Sequence, residues 1–321
     1  MNPWTSIATP TNEFNVQRVS DNYPLPLFWG KDTHGGYLFL IDAPLEVVPD
    51  KRALPDLIGI RIRVGLMPAC QRIVLFLTEN SNWEMFYALC SDLIRVSAGA
   101  ENSVASASIL IGRLTRWRDF LKRQQVHALS LEAVKGLVGE LLFLTKTLGE
   151  RFGWDAAVEF WKGPENAPQD FEVHDTAVEV KTQSGVSKPS IQINSIEQLN
   201  AQLPQFYLVV YTLASADKDA DGAFTLNSLI VNVRRALETA SDMMRERFEN
   251  LIFQAGYIEL ECYDDMIFQH VATRVFRVTD EFPRLTVAEI PDGVTRITYQ
   301  LSLEACVPFE TKLNLGDSHD C

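Results

Sequence analysis

The run QFYLVVYTL at 205–213 constrains the fold more than any other stretch of the chain. It is apolar or aromatic almost throughout and shows no alternation. It is bounded by Pro204 on one side and the polar segment ASADKDADG on the other. Such a run reads as a fully buried strand, the kind found in the middle of a sheet covered on both faces. A helical pattern at 130–148 and an alternating stretch at 169–181 precede it, with a short helix opened by NSIEQL, where Ser195 and Gln198 make a capping-box pattern. Helical patterns at about 225–238 and 241–255 follow, then strands near 266–278 and 296–303. This order predicts an α/β fold of mixed α+β type, a mixed sheet flanked by helices.

Upstream, residues 1–35 read as irregular, followed by strands near 36–42, 57–65 and 71–78 and helices at about 82–97 and 104–124. The stretch GAENS at 99–103 is a break signal. It suggests an N-terminal α+β module over 1–100 and a second domain over 101–321, and 321 residues suffice for both.

With 46% hydrophobic and 22% charged residues the chain can bury a core. It has no run of 18 apolar residues, and its N-terminus lacks the basic and apolar regions of a signal peptide. Five scattered cysteines, Cys70, Cys90, Cys262, Cys306 and Cys321, form no CxxC pair. The expectation is a cytoplasmic protein with no membrane association. GxSxG, HExxH and Walker lysine-loop motifs are absent from the sequence. The net charge of −13 argues against a chain that holds nucleic acid by itself through phosphate contacts. One segment opposes that sum: GRLTRWRDFLKRQQ at 112–125 carries Arg113, Arg116, Arg118, Lys122 and Arg123 against Asp119. It is either a solvated helix face or a phosphate-facing stripe, with Arg113 and Arg116 as candidate substrate contacts.

The stretch QDFEVHDTAVEVK at 169–181 carries the chemistry. If Asp175-Thr176 is a two-residue hairpin loop, Glu172 lies opposite Glu179 and Asp170 opposite Lys181. Phe171, Val173, Val178 and Val180 then share an apolar face, and Asp170, Glu172, His174, Ala177, Glu179 and Lys181 share a polar one. A longer turn would remove Glu172 and His174 and leave Asp170 and Glu179 as the acids. The polar face is either solvated or a cation site: carboxylates facing each other across a ladder repel, and a hard divalent cation relieves that. Lys181, two residues from Glu179 on the same face, could orient a water and stabilise developing charge. His174 otherwise reads as a surface residue.

In SLEAVKGLVGELLFLTKTLGE at 130–150, Ser130 is a candidate N-cap, and the solvent face is marked by Glu132, Lys135, Lys146 and Glu150. Glu140 points about 160° away from Leu142, into the apolar side. A carboxylate there needs a buried polar partner or a cation. Gly136 and Gly139 would let this helix approach a strand closely.

Together, GLVGELLFL (136–144), Trp161 with Gly163-Pro164, QDF (169–171), VEVKT (178–182) and INSIEQL (193–199) resemble the PD-(D/E)xK nuclease superfamily. Within it the sequence looks like the restriction-endonuclease-like "PD-(D/E)xK motif" proteins of bacteria, which occur in defence-like gene clusters. Gln169 stands where the motif has proline. The resemblance implies a restriction-endonuclease-like core and Mg²⁺-dependent phosphodiester hydrolysis of DNA, with Mn²⁺ able to substitute. It implies Asp170, Glu179 and Glu140 as metal ligands and Lys181 as the catalytic lysine, with Gln183 and Gln198 as weaker substrate contacts. It also implies DNA as a partner, an ATPase or methyltransferase subunit of a restriction-modification or phage-defence system as another, and a homodimer. The competing expectation is an inactive nuclease-fold subunit that serves as a DNA-binding or scaffold component, which the −13 charge favours.

Overall fold

The computed structural model describes residues 2–47, 54–123, 128–185 and 189–316. The chain falls into two compact units, Met1–Ala128 and Leu129–Cys321. In the first, β1 (Phe14–Arg18), β2 (Leu27–Asp32), β3 (Tyr37–Ala43), β4 (Ile60–Leu66) and β5 (Gln71–Leu77) form an antiparallel sheet in the order β1-β2-β3-β5-β4. Helices α1 (Trp83–Ala98) and α2 (Ser103–Arg123) follow. Residues 1–35, expected to be irregular, contain the edge pair β1–β2. The GAENS break is the turn between α1 and α2, inside this unit. Asp92 on α1 ties the two helices together. It accepts from Arg113 Nε at 2.6 Å and Nη2 at 3.0 Å, and from Trp117 Nε1 at 2.8 Å.

The basic stripe on α2 is therefore divided. Arg113 is 5% exposed and spent on Asp92, which corrects its assignment as a phosphate contact, whereas Arg116 is exposed. The end of the stripe, from the side chain of Arg123, lies outside the described residues, as do Cys321, His127 and His319.

The second unit opens with α3 (Leu131–Phe143). Its N-cap is Ser130, whose Oγ accepts from the Ala133 N–H at 3.2 Å. The helical path continues through a π-helical segment, Leu144–Gly149, into α4 (Glu150–Phe152); Gly153, at φ 79°, breaks it before α5 (Trp154–Phe160). Then come β6 (Phe171–Val173), β7 (Thr176–Ser184), β8 (Ser190–Ile193), β9 (Gln205–Ser215), β10 (Ala223–Phe224), α6 (Leu226–Ala236), α7 (Asp242–Gln254), β11 (Phe268–Arg277) and β12 (Tyr299–Ser302). The main sheet is mixed, in the order β10-β11-β9-β7-β6, with β7 and β9 parallel and the other pairs antiparallel. The run at 205–213 is its central strand β9, as its unbroken apolar pattern requires.

Both faces of this sheet are covered. Val178, Val180, Val209 and Tyr211 pack in one cluster with α3, α5, α6 and α7. Ala177, Leu208 and Val210 pack in another with Ile191, Ile193 and Leu301 of a second, two-stranded sheet, β12-β8. Among the described residues no helix is long and apolar enough to cross a membrane.

Candidate active site

Position in the site is decided by how β6 and β7 pair. The turn is His174-Asp175, so Phe171 opposes Val178, Glu172 opposes Ala177 and Val173 opposes Thr176. This corrects the expected Asp175-Thr176 loop. His174 takes the left-handed conformation at φ 54°, a region where His is enriched among non-glycine residues, and so accommodates the tight turn. The register moves by two residues, and because strand faces alternate with period 2 every side chain keeps its face. Glu172 is exposed on the edge strand and His174 sits in the turn against Phe152 and Phe160; neither lines the cleft described below.

Glu179 and Lys181 share the β7 face opposite Val178 and Val180. That face is not solvated. Glu179 is fully buried, and the Lys181 side chain is 14% exposed with Nζ 2.7 Å from Glu179 Oε1. The pair is close, yet neither Glu179 oxygen receives a well-aligned hydrogen bond. Burial, then the charge of Asp170, pushes the Glu179 carboxyl up to about 8. Burial works against the Lys181 charge, but Glu179, Asp170 and Glu140 hold its pKa above the ordinary lysine value.

Asp170 stands just before β6. There the short edge strand has ended and the Val180 N–H would lack a partner; Asp170 Oδ2 accepts it at 2.8 Å. The Asp170 carbonyl accepts from the N–H groups of Lys162 and Gly163 at 2.8 and 2.9 Å. Desolvation raises the Asp170 carboxyl against the opposing pull of Lys181. Gln169, in the place of the motif proline, is buried and donates from Nε2 to the Glu197 carbonyl at 2.6 Å. It thereby ties this end of β6 to a single 3-10 turn, Glu197–Leu199. That turn replaces the expected short helix, and the Gln198 Oε1 accepts from the Asn194 N–H at 2.8 Å.

Glu140 reaches the same place from α3. A Cβ on Gly139 would lie 2.6 Å from Thr182 Cγ2, so the close approach of α3 to β7 requires glycine there. Gly136 faces open space and plays no such part. Glu140 Oε2 accepts from Trp161 Nε1 at 2.7 Å. Burial, then the charge of Asp170, raises the Glu140 carboxyl well above its ordinary value. Gly163 closes the group: a Cβ there would lie 2.9 Å from Asp170 Oδ1 and 3.0 Å from Glu140 Oε2. The two carboxylates thus border one small space that only glycine leaves open.

These groups border or underlie a cleft of about 840 Å³ lined by Glu140, Gly163, Asp170, Lys181, Gln183 and Gln198 among others. Gln183 Nε2 donates to Thr212 Oγ1 at 3.0 Å, while its Oε1 is buried without a partner among the described residues. Glu140, Asp170 and Lys181 line one cleft with Glu179 paired to Lys181; Arg113 and Arg116 lie in the first unit. Trp161 and Gly163 hold the acids although motif reading assigned them no role; their signal was their place between the helix acid and Asp170.

The family model described as "Putative PD-(D/E)XK family member, (DUF4420)" matches residues 1–304 of this chain. The chain belongs to that family. The match spans most of both compact units, and with it comes a nuclease-like fold. No curated protein and no solved structure matches the chain.

The superfamily is generally one of nucleases that use divalent metals. Among the described residues no three His, Cys, Asp or Glu side chains are gathered in metal-holding geometry. Glu140 is turned to Trp161, Asp170 to Val180 and Glu179 to Lys181. The donor set nonetheless fits a hard cation: three neighbouring, mutually repelling carboxylates, the fully buried Glu179 with only Lys181 beside its Oε1, and a space that a Cβ would fill.

Proposed function

We propose that this protein is a Mg²⁺-dependent endonuclease of DNA, with Mn²⁺ able to substitute, acting in the cytoplasm within a restriction-modification or phage-defence system. The observation that carries the reading is the meeting of Glu140, Asp170, Glu179 and Lys181 at one cleft, with the acids enclosed and the lysine charged. Asp170 and Glu179 would hold the cation, with Glu140 contributing. When bound, it supplies Lewis-acid stabilisation of the charge that develops on a phosphate. Lys181 holds its proton, and its ammonium orients the attacking water and stabilises a non-bridging oxygen. Trp161 fixes the Glu140 carboxylate.

The test is cleavage of plasmid DNA with Mg²⁺ or Mn²⁺. Wild-type rates retained in both Asp170→Ala and Lys181→Ala variants would sink the proposal. A second reading, an inactive subunit to which a partner ATPase or methyltransferase delivers DNA, is favoured by one observation. Among the described residues lining the cleft only Lys135 and Lys181 are cationic. Calorimetry separates the two readings, since an inactive subunit has no use for Mg²⁺ binding at the carboxylates.

A further inference from the structure

One wall of the cleft is the ribbon formed by β8 and β12. Gln192 pairs directly with Gln300 and Ser190 with Ser302, so these four share one face. All four are exposed, and Ser190, Gln192 and Gln300 line the cleft together with Asn194 and Gln198. The other face, Ile191, Ile193 and Leu301, is buried in the core. The exposed row contains amides and hydroxyls and carries no charge. That is unusual for exposed strands, where lysine and other charged side chains commonly guard the edges. Each glutamine spends one end of its amide inside the ribbon: Gln192 Nε2 on Asn194 Oδ1 at 2.8 Å, and Gln300 Oε1 on the Ser190 hydroxyl at 3.1 Å. Among the described residues, the other end of each amide has no partner.

Salt-dependent phosphate neutralisation needs Lys and Arg, which this row lacks, whereas Asn and Gln amides pair bidentately with adenine and Ser and Thr hydroxyls bond base edges in the major groove. A two-stranded ribbon is also narrow enough to enter the major groove. We infer that the β8–β12 ribbon reads base edges in the major groove of duplex DNA whose backbone lies over the Asp170–Lys181 floor, with Gln192 and Gln300 as the specificity-determining residues. The inference rests on the nuclease reading above.

The experiment is cleavage of a randomised duplex library by the full-length protein with Mg²⁺, the cut ends being sequenced. Wild type is expected to show a base preference at one or two positions near the cut. Gln192→Ala and Gln300→Ala should each reduce that preference roughly 5- to 150-fold at one position. The slope of binding affinity against salt, measured with Ca²⁺, should stay the same, since no phosphate contact is lost. Cutting by wild type without any base preference would overturn the inference and leave the nuclease reading standing. So would variants that keep the wild-type preference, or that cut all sequences equally more weakly with a shallower salt slope. Absence of metal-dependent cleavage of any DNA by wild type would overturn the nuclease reading and the inference with it.

Discussion

Glu179→Gln should make the metal-free protein more stable at pH 8. The carboxyl is fully buried, its oxygens lack aligned donors, and its pKa is pushed from 4.5 to about 8. Between those values the unfolded chain has released this proton and the folded chain keeps it. Folding takes up a proton there, so stability falls as pH rises through the window. At about 1.4 kcal/mol per pH unit, the span from 4.5 to about 8 caps the cost at roughly 5 kcal/mol above pH 8. Glutamine keeps the volume and cannot ionise, but it removes the nearest countercharge of Lys181, which offsets part of the gain. A net gain of about 2 kcal/mol corresponds to roughly 4–8 °C in melting temperature. Thermal unfolding in EDTA from pH 5 to 8.5 reads this directly, with the gap between variant and wild type closing toward pH 5. Saturating Mg²⁺ should raise wild type by about 3 kcal/mol at a hundred times its dissociation constant and leave the variant unmoved. A variant less stable than wild type at pH 8, or a gap independent of pH, would refute the reasoning.

Three further outcomes are expected. Lys181→Met should lower the cleavage rate by about 10²- to 10⁴-fold, with Ca²⁺ binding by calorimetry retained. Trp161→Phe removes the N–H that fixes Glu140, and should weaken Mn²⁺ binding roughly 10- to 100-fold in a calorimetric titration. Arg113→Ala leaves Asp92 enclosed without its main countercharge, and should destabilise the first unit by about 3–5 kcal/mol in denaturant unfolding.

The acids and the lysine were legible in the sequence because period-2 alternation survives an even shift of register. The turn was not legible: Asp175-Thr176 and His174-Asp175 are both plausible loops, and the choice depends on a left-handed His174 that no periodicity reports. Strands β1 and β2 escaped notice because an edge pair with largely exposed and mixed burial shows no alternation. Arg113 reads as surface charge until Asp92, 21 residues earlier on another helix, is seen to take it. Glu140 was legible because one helix turn already made its burial anomalous.

The two sides of the cleft differ in how the chain assembles them. The floor draws its acids and lysine from one contiguous piece, Glu140 to Lys181, whereas the facing ribbon joins Ser190 to Gln300 across 110 residues. Closing so long a loop has an entropic cost before any contact repays it, and pairings of this kind form late. Native-state hydrogen exchange is expected to find the Ile191–Leu301 amides opening at lower free energy than those of β7 and β9; equal protection would contradict this. In the proposed nuclease the acids and the lysine come from one sequence-local segment, whereas the wall proposed to discriminate closes a long loop and is anchored by the buried Ile191, Ile193 and Leu301.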